Sequence, residues 1–151
     1  MANQRMVLVV YADPQDRLGA ALLLEAAGYR VLSANNFEEA KQVLATEAPD
    51  MLVTDLRLGP YNGLHLVLRS RTDHPDMAAL VTSRIADPVL QAETLRQSAA
   101  FLLLPVSDDE FLDAVASSLE TASRVPSASG PRNGTSDAAP FLGDVPRSLL
   151  N

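Results

Sequence analysis

Asp55 is the residue whose surroundings most invite chemistry. It closes the apolar run Met51-Leu52-Val53 after a single threonine, and a charge so close to an apolar run costs desolvation unless it is satisfied or used. The plain alternative is a strand-end aspartate capping a local turn. Three further segments end apolar runs in the same way: Tyr11-Ala12-Asp13, Thr82-Ser83-Arg84 and Leu104-Pro105. Other chemistries lack their parts. Without cysteine there is no disulfide framework and no thiolate zinc site. Two histidines, His65 and His74, are too few for a metal cluster. No Walker-type glycine loop occurs, and residues 12–17 lack the Ser/Thr/Gly-rich cradle that a flavin phosphate needs.

The elements that must position these residues are legible from periodicity. Residues 6–11 (MVLVVY), 30–34, 51–54, 79–82 and 101–104 are strand candidates, most of them near-continuously apolar. Such runs suit strands covered on both faces. Between them apolar residues recur at helical spacing, as in Leu18, Ala21 and Leu22, in Phe37, Ala40, Val43 and Leu44, and in Phe111, Leu112, Val115 and Leu119. Asp13-Pro14 and Asp87-Pro88 each offer an acidic N-cap with proline at the first helical position. Asn36 with Glu39, and Ser107 with Glu110, have capping-box spacing. Helices are expected to stop before Pro49 and near His74-Pro75. Five strands alternating with five helices predict an α/β fold, a three-layer sandwich around a parallel five-stranded sheet. The flavodoxin-like strand order 2-1-3-4-5 suits this length and puts any site at the carboxyl ends of the strands.

The chain has 151 residues and a formal net charge of −7. Residues 123–151 hold four of the ten prolines, three of the seven glycines and five serines, with no apolar period. Their three arginines and two aspartates leave −8 on residues 1–122, the expected domain. The remainder reads as a flexible tail or linker, unable to bury enough apolar area to offset its ordering entropy. Within it, PFLGDVPRSLL (140–150) has the content of a short docking segment, although plain tail is the preferred reading. The acidic balance weighs against nucleic-acid binding. No stretch is apolar enough for a secretory signal or a membrane span, so a cytoplasmic protein is expected.

At these residues the chain resembles a bacterial response-regulator receiver domain, over about residues 5–122. The likeness rests on VTDLRLGPYNGL (53–64), GYRVLSA (28–34), Pro49-Asp50, LVTS (80–83) and FLLLPV (101–106), in that family's order and spacing. The resemblance implies a domain that takes a phosphoryl group from a histidine kinase, with Asp55 at the acceptor position. Thr82 matches the hydroxyl that holds a phosphoryl oxygen and Ser83 the small residue after it, although counting forward from Asp55 gives Ser83 the hydroxyl role. Phe101 matches the aromatic switch, Leu104-Pro105 a peptide expected to be cis, and Arg57 the residue whose backbone carbonyl binds the metal.

The departures cluster at the pocket. Tyr11 and Ala12 stand where the family has two adjacent acids for Mg²⁺, and Asp13 is better read as an N-cap. Leu104 stands where the family has lysine, and the chain's one lysine, Lys41, belongs to the second helix. Gln97 takes the place of the family's glycine after the fourth helix, and Gly59, followed by Pro60, that of its proline. Mg²⁺ binding is therefore expected to be absent or weak, with no other cofactor. Two accounts of Asp55 follow. Closure by Tyr11, Ala12 and Leu104 would raise its pKa, whereas a returning Arg84 guanidinium, the favoured account, would lower it. The Tyr11 and Thr82 hydroxyls are each placed to bond Asp55.

The expected function is a phosphorylation-independent, non-enzymatic receiver-like module that works by protein–protein contact in two-component signalling. The alternative is a conventional phosphorelay receiver. Partners would be a sensor histidine kinase or another signalling protein. A second copy is also expected to bind, through the fourth helix, fifth strand and fifth helix, a face with Leu95, Phe101, Asp108 and Asp109.

Overall fold

The computed structural model describes residues 4–124. Its strands are β1 (Met6–Val10), β2 (Arg30–Ala34), β3 (Met51–Asp55), β4 (Arg57–Leu58), β5 (Tyr61–Asn62), β6 (Ala78–Ser83) and β7 (Ala100–Leu103). Its helices are α1 (Pro14–Ala26), α2 (Phe37–Thr46), α3 (Gly63–Asp73), α4 (Pro88–Arg96) and α5 (Asp108–Arg124). Five strands form one parallel sheet in the order β2-β1-β3-β6-β7. Counting only those five, this is the flavodoxin-like order expected from alternation. Helix α5 runs past residue 123, and the tail beyond Arg124, including 140–150, lies outside the described residues.

Alternation along the strands builds two apolar layers. Leu8 and Val10 of β1 join Leu52, Val81 and the inner faces of α2 and α3, through Phe37, Ala40, Leu66 and Val67. Val7 and Val9 face the other way with Val53 and Leu80, against Leu24 of α1 and Phe111, Val115 and Leu119 of α5. Each fully buried Leu or Val is worth about 1.5–3 kcal/mol, so a one-residue slip would invert both layers at once.

The caps form as the sequence indicated. Asp13 accepts from the backbone N–H of Gln15 at 2.8 Å, and Asp87 from that of Leu90. Ser107 and Glu110 make the reciprocal capping box, at 3.1 and 3.3 Å. At α2, Asn36 caps Glu39 as expected, but the Glu39 carboxylate returns to the Asn35 N–H, one residue earlier. The antiparallel β4–β5 pair was not foreseen. Its signal was the Gly59-Pro60 dipeptide: Gly59 sits at φ +66°, where a side chain is strained.

At the amino edge of the sheet, side chains hold backbone. The Asp50 carboxylate accepts from Met6 N–H at 2.8 Å, and His74 Nε2 meets Leu44 O at 3.0 Å. Arg71 donates to the carbonyls of Gln97, Ser98 and Met77, clamping α3 to the end of α4. The residue in the left-handed region after α4 is Ser98, at φ +61°, whereas Gln97 has φ −88°. The glycine-like position is thus one residue later than expected.

Candidate functional site

The carboxyl edge gathers the sequence-predicted residues. Asp55 ends β3 directly opposite Thr82 of β6 in register. Its backbone is fixed by a close approach: a Cβ on Gly63, at the start of α3, would lie 2.2 Å from Asp55 O, so only glycine fits. Gly63 N–H also donates to Leu56 O at 2.7 Å, tying the helix start to the chain leaving the site.

Tyr11 and Thr82 are buried, and their hydroxyls bond each other at 2.9 Å instead of each bonding Asp55. An unpaired buried hydroxyl costs about 1–3 kcal/mol, and each satisfies the other. Desolvation pushes the Tyr11 phenol up to about 12, so it stays a neutral hydroxyl. Ser83 is buried too, but its hydroxyl closes a turn, accepting from Ile85 N–H and donating to Ile85 O. Of the two candidates, Thr82 is therefore the hydroxyl next to the Tyr11 ring.

The favoured account of Asp55 is overturned. Arg84 does not fold onto it; its guanidinium pairs with Asp16 of α1 at 3.1 Å. Burial dominates and raises the Asp55 carboxyl above its ordinary value. The backbone N–H groups of Arg57 and Leu56 oppose that rise, and Arg84 pulls down least of the contributors. The Arg57 side chain is exposed on β4.

Sequence reasoning missed Asp16 and Arg17. Arg17 donates to Tyr11 O at 2.7 Å and to Ala12 O at 3.4 Å, holding the β1–α1 turn from within α1. A signal was available, since residues just after the Asp13 cap must sit where α1 opens onto the carboxyl edge. Asp13 itself is committed to its cap. The carboxylates at this edge are therefore divided among a cap, an ion pair and Asp55. Among the described residues no three His, Asp or Glu side chains converge.

Leu104-Pro105 is cis, as expected, and Leu104 N–H donates to Ser83 O at 2.8 Å. Phe101 is half-buried against the layer that includes Val81 and Leu66. No described helix is long and apolar enough to cross a membrane.

The family model for the response regulator receiver domain matches residues 7–116. The chain belongs to that family. The receiver is 29% identical over 119 residues to the alginate biosynthesis transcriptional regulatory protein AlgB of Pseudomonas putida, covering 78% of this chain and 27% of that protein. It is 30% identical over 115 residues to the transcriptional regulatory protein GlrR of Escherichia coli, covering 76% and 26%. A crystal structure of a response regulator receiver protein from Pseudomonas putida superposes with a TM-score of 0.71 at 28% identity, covering 78% of this chain and 99% of that one. The receiver spans about a quarter of the length of the two regulators, so control of transcription is a property of those longer proteins.

Proposed function

We propose that this receiver signals by protein contact without phosphorylation of Asp55. The observation that carries the reading is the Tyr11–Thr82 hydrogen bond. The hydroxyl that the family resemblance assigns to a phosphoryl oxygen already has a partner, supplied from just after β1, where the family has its acidic pair. Phosphoryl transfer depends on positioning and charge neutralisation. With Leu104 in place of lysine, and Arg84 engaged by Asp16, the cations for that task are lost or occupied. No Mg²⁺ or other cofactor is needed in this reading, and the module is not an enzyme.

Its partner is a sensor histidine kinase or another signalling protein, in the cytoplasm. The charge of −8 on residues 1–122 favours protein over nucleic acid as the direct contact. A homodimer through α4, β7 and α5 is supported by exposed Ile85, Val89 (75%), Leu95 and Leu103 beside the edge strand β7. A second reading, a conventional phosphorelay receiver, draws on the half-exposed Asp55 in register with Thr82.

An amide-resolved NMR titration with Mg²⁺, then with beryllofluoride, separates the two. The expected result is no shift at Asp55, Thr82 and Phe101 at millimolar Mg²⁺. Saturable shifts spreading from Asp55 to Phe101 would restore the conventional receiver.

A further inference from the structure

Below the Asp16–Arg84 pair, α1 and α5 part to leave an open groove of about 580 Å³. Its walls are largely apolar: Leu22 and Leu23 of α1, Val106 before α5 and Phe111 within it. Space around Gly19 opens it further, since a Cβ there would meet nothing within 4 Å. Leu18 and Leu22, one helical turn apart on α1, are 59% and 56% exposed. Two large apolar side chains held in water beside an apolar groove point to something that covers them.

We propose that the occupant is the chain's own segment PFLGDVPRSLL, residues 140–150. In a stretch otherwise made of small and polar residues, it concentrates Phe141, Leu142, Val145, Leu149 and Leu150. Fifteen residues separate it from Arg124 and span up to about 50 Å when extended. The groove lies beside the first turns of α5, whose 17 residues rise about 25 Å. The tether therefore reaches the groove with length to spare. Charge does not oppose the docking: the groove is lined by Asp16, Arg84 and Asp108, and the segment carries one charge of each sign, Asp144 and Arg147. A tethered segment also meets the groove at an effective concentration near millimolar, which a second copy reaches only in concentrated solution. Tyr11 and Leu104 line the upper end of the groove, so the docked segment would lie against the flank of the Asp55 pocket. This docking stands whether or not Asp55 is phosphorylated.

The absence of cysteine makes the test direct. A nitroxide on Ser148→Cys in the full chain should weaken the amide signals of Gly19, Leu22 and Phe111 to less than half, leaving those of Val89 and Leu103 intact. Phe141→Asp with Leu142→Asp should restore them. Leu22→Glu, at an exposed position, should do the same without shifting the amides of Val9 and Leu52. Weakening at Val89 and Leu103 instead, or at neither face, would overturn the proposal. So would weakening that persists when nitroxide-labelled chain is mixed with isotope-labelled chain carrying no nitroxide, because a second copy would then be the occupant.

Discussion

Both edges of the sheet have side chains that hold backbone, as Asp13, Arg17 and Ser83 do at the carboxyl edge, but the surroundings of Asp55 differ. At the amino edge, Asp50, His74 and Arg71 each bond backbone groups, and the result is a set of fixed turns. At the carboxyl edge, Tyr11 bonds Thr82 and Arg84 bonds Asp16, side chain to side chain, around an Asp55 that keeps solvent contact. Backbone partners cannot leave, so the amino edge is architecture. Side-chain partners exchange for ligands or for one another, so the carboxyl edge is where a ligand can compete for them.

Six substitutions test that contrast. Gly63→Ala should be the most damaging, since its Cβ has nowhere to go but into Asp55 O; a loss of about 3 kcal/mol or more is expected from denaturant midpoints. Arg71→Met removes the clamp on three carbonyls and should cost about 2 kcal/mol. Its amide shifts should stay away from Asp55, and shifts reaching Asp55 would show the two edges to be coupled. Tyr11→Phe should cost about 1–2 kcal/mol by orphaning the Thr82 hydroxyl. Adding Thr82→Val should cost little more, and full additivity in that double-mutant cycle would mean the bond contributes nothing. Ser98→Gly should gain about 0.5–1 kcal/mol, because glycine accepts φ +61° without strain.

The smallest effect is also the one with a pH signature. Burial raises the Asp55 carboxyl, so the fold favours its protonated form, and the carboxylate costs stability once pH climbs through the raised value. Asp55→Asn should therefore stabilise at neutral pH, by about a few tenths of a kcal/mol given the solvent contact. The gain should disappear below the ordinary carboxylate range, about pH 4. A loss at neutral pH would mean that an ion pair, and not desolvation, governs Asp55.

Much of the fold was legible because its signals are local. Asp13-Pro14, Asp87-Pro88 and the Ser107–Glu110 box sit within one helical turn, and the apolar runs required a sheet covered on both faces. The β4–β5 pair went unseen because strands of two residues have no period to read. The left-handed residue after α4 was misplaced by one, since neither Gln97 nor Ser98 is a glycine. At the site, the residue types were visible but their pairings were not. Arg84 chose Asp16, 68 residues away in sequence, over Asp55.

The sequence by itself determined the layers, the order of the elements and which residues reach the carboxyl edge, because periodicity and capping act over a few residues. Only the tertiary structure decided that Tyr11 would meet Thr82, that Arg84 would leave Asp55 to desolvation, and that Arg71 would hold the turn after α4. Those choices depend on distances between strands and helices far apart in the chain, where a few ångströms separate an ion pair from a solvated charge.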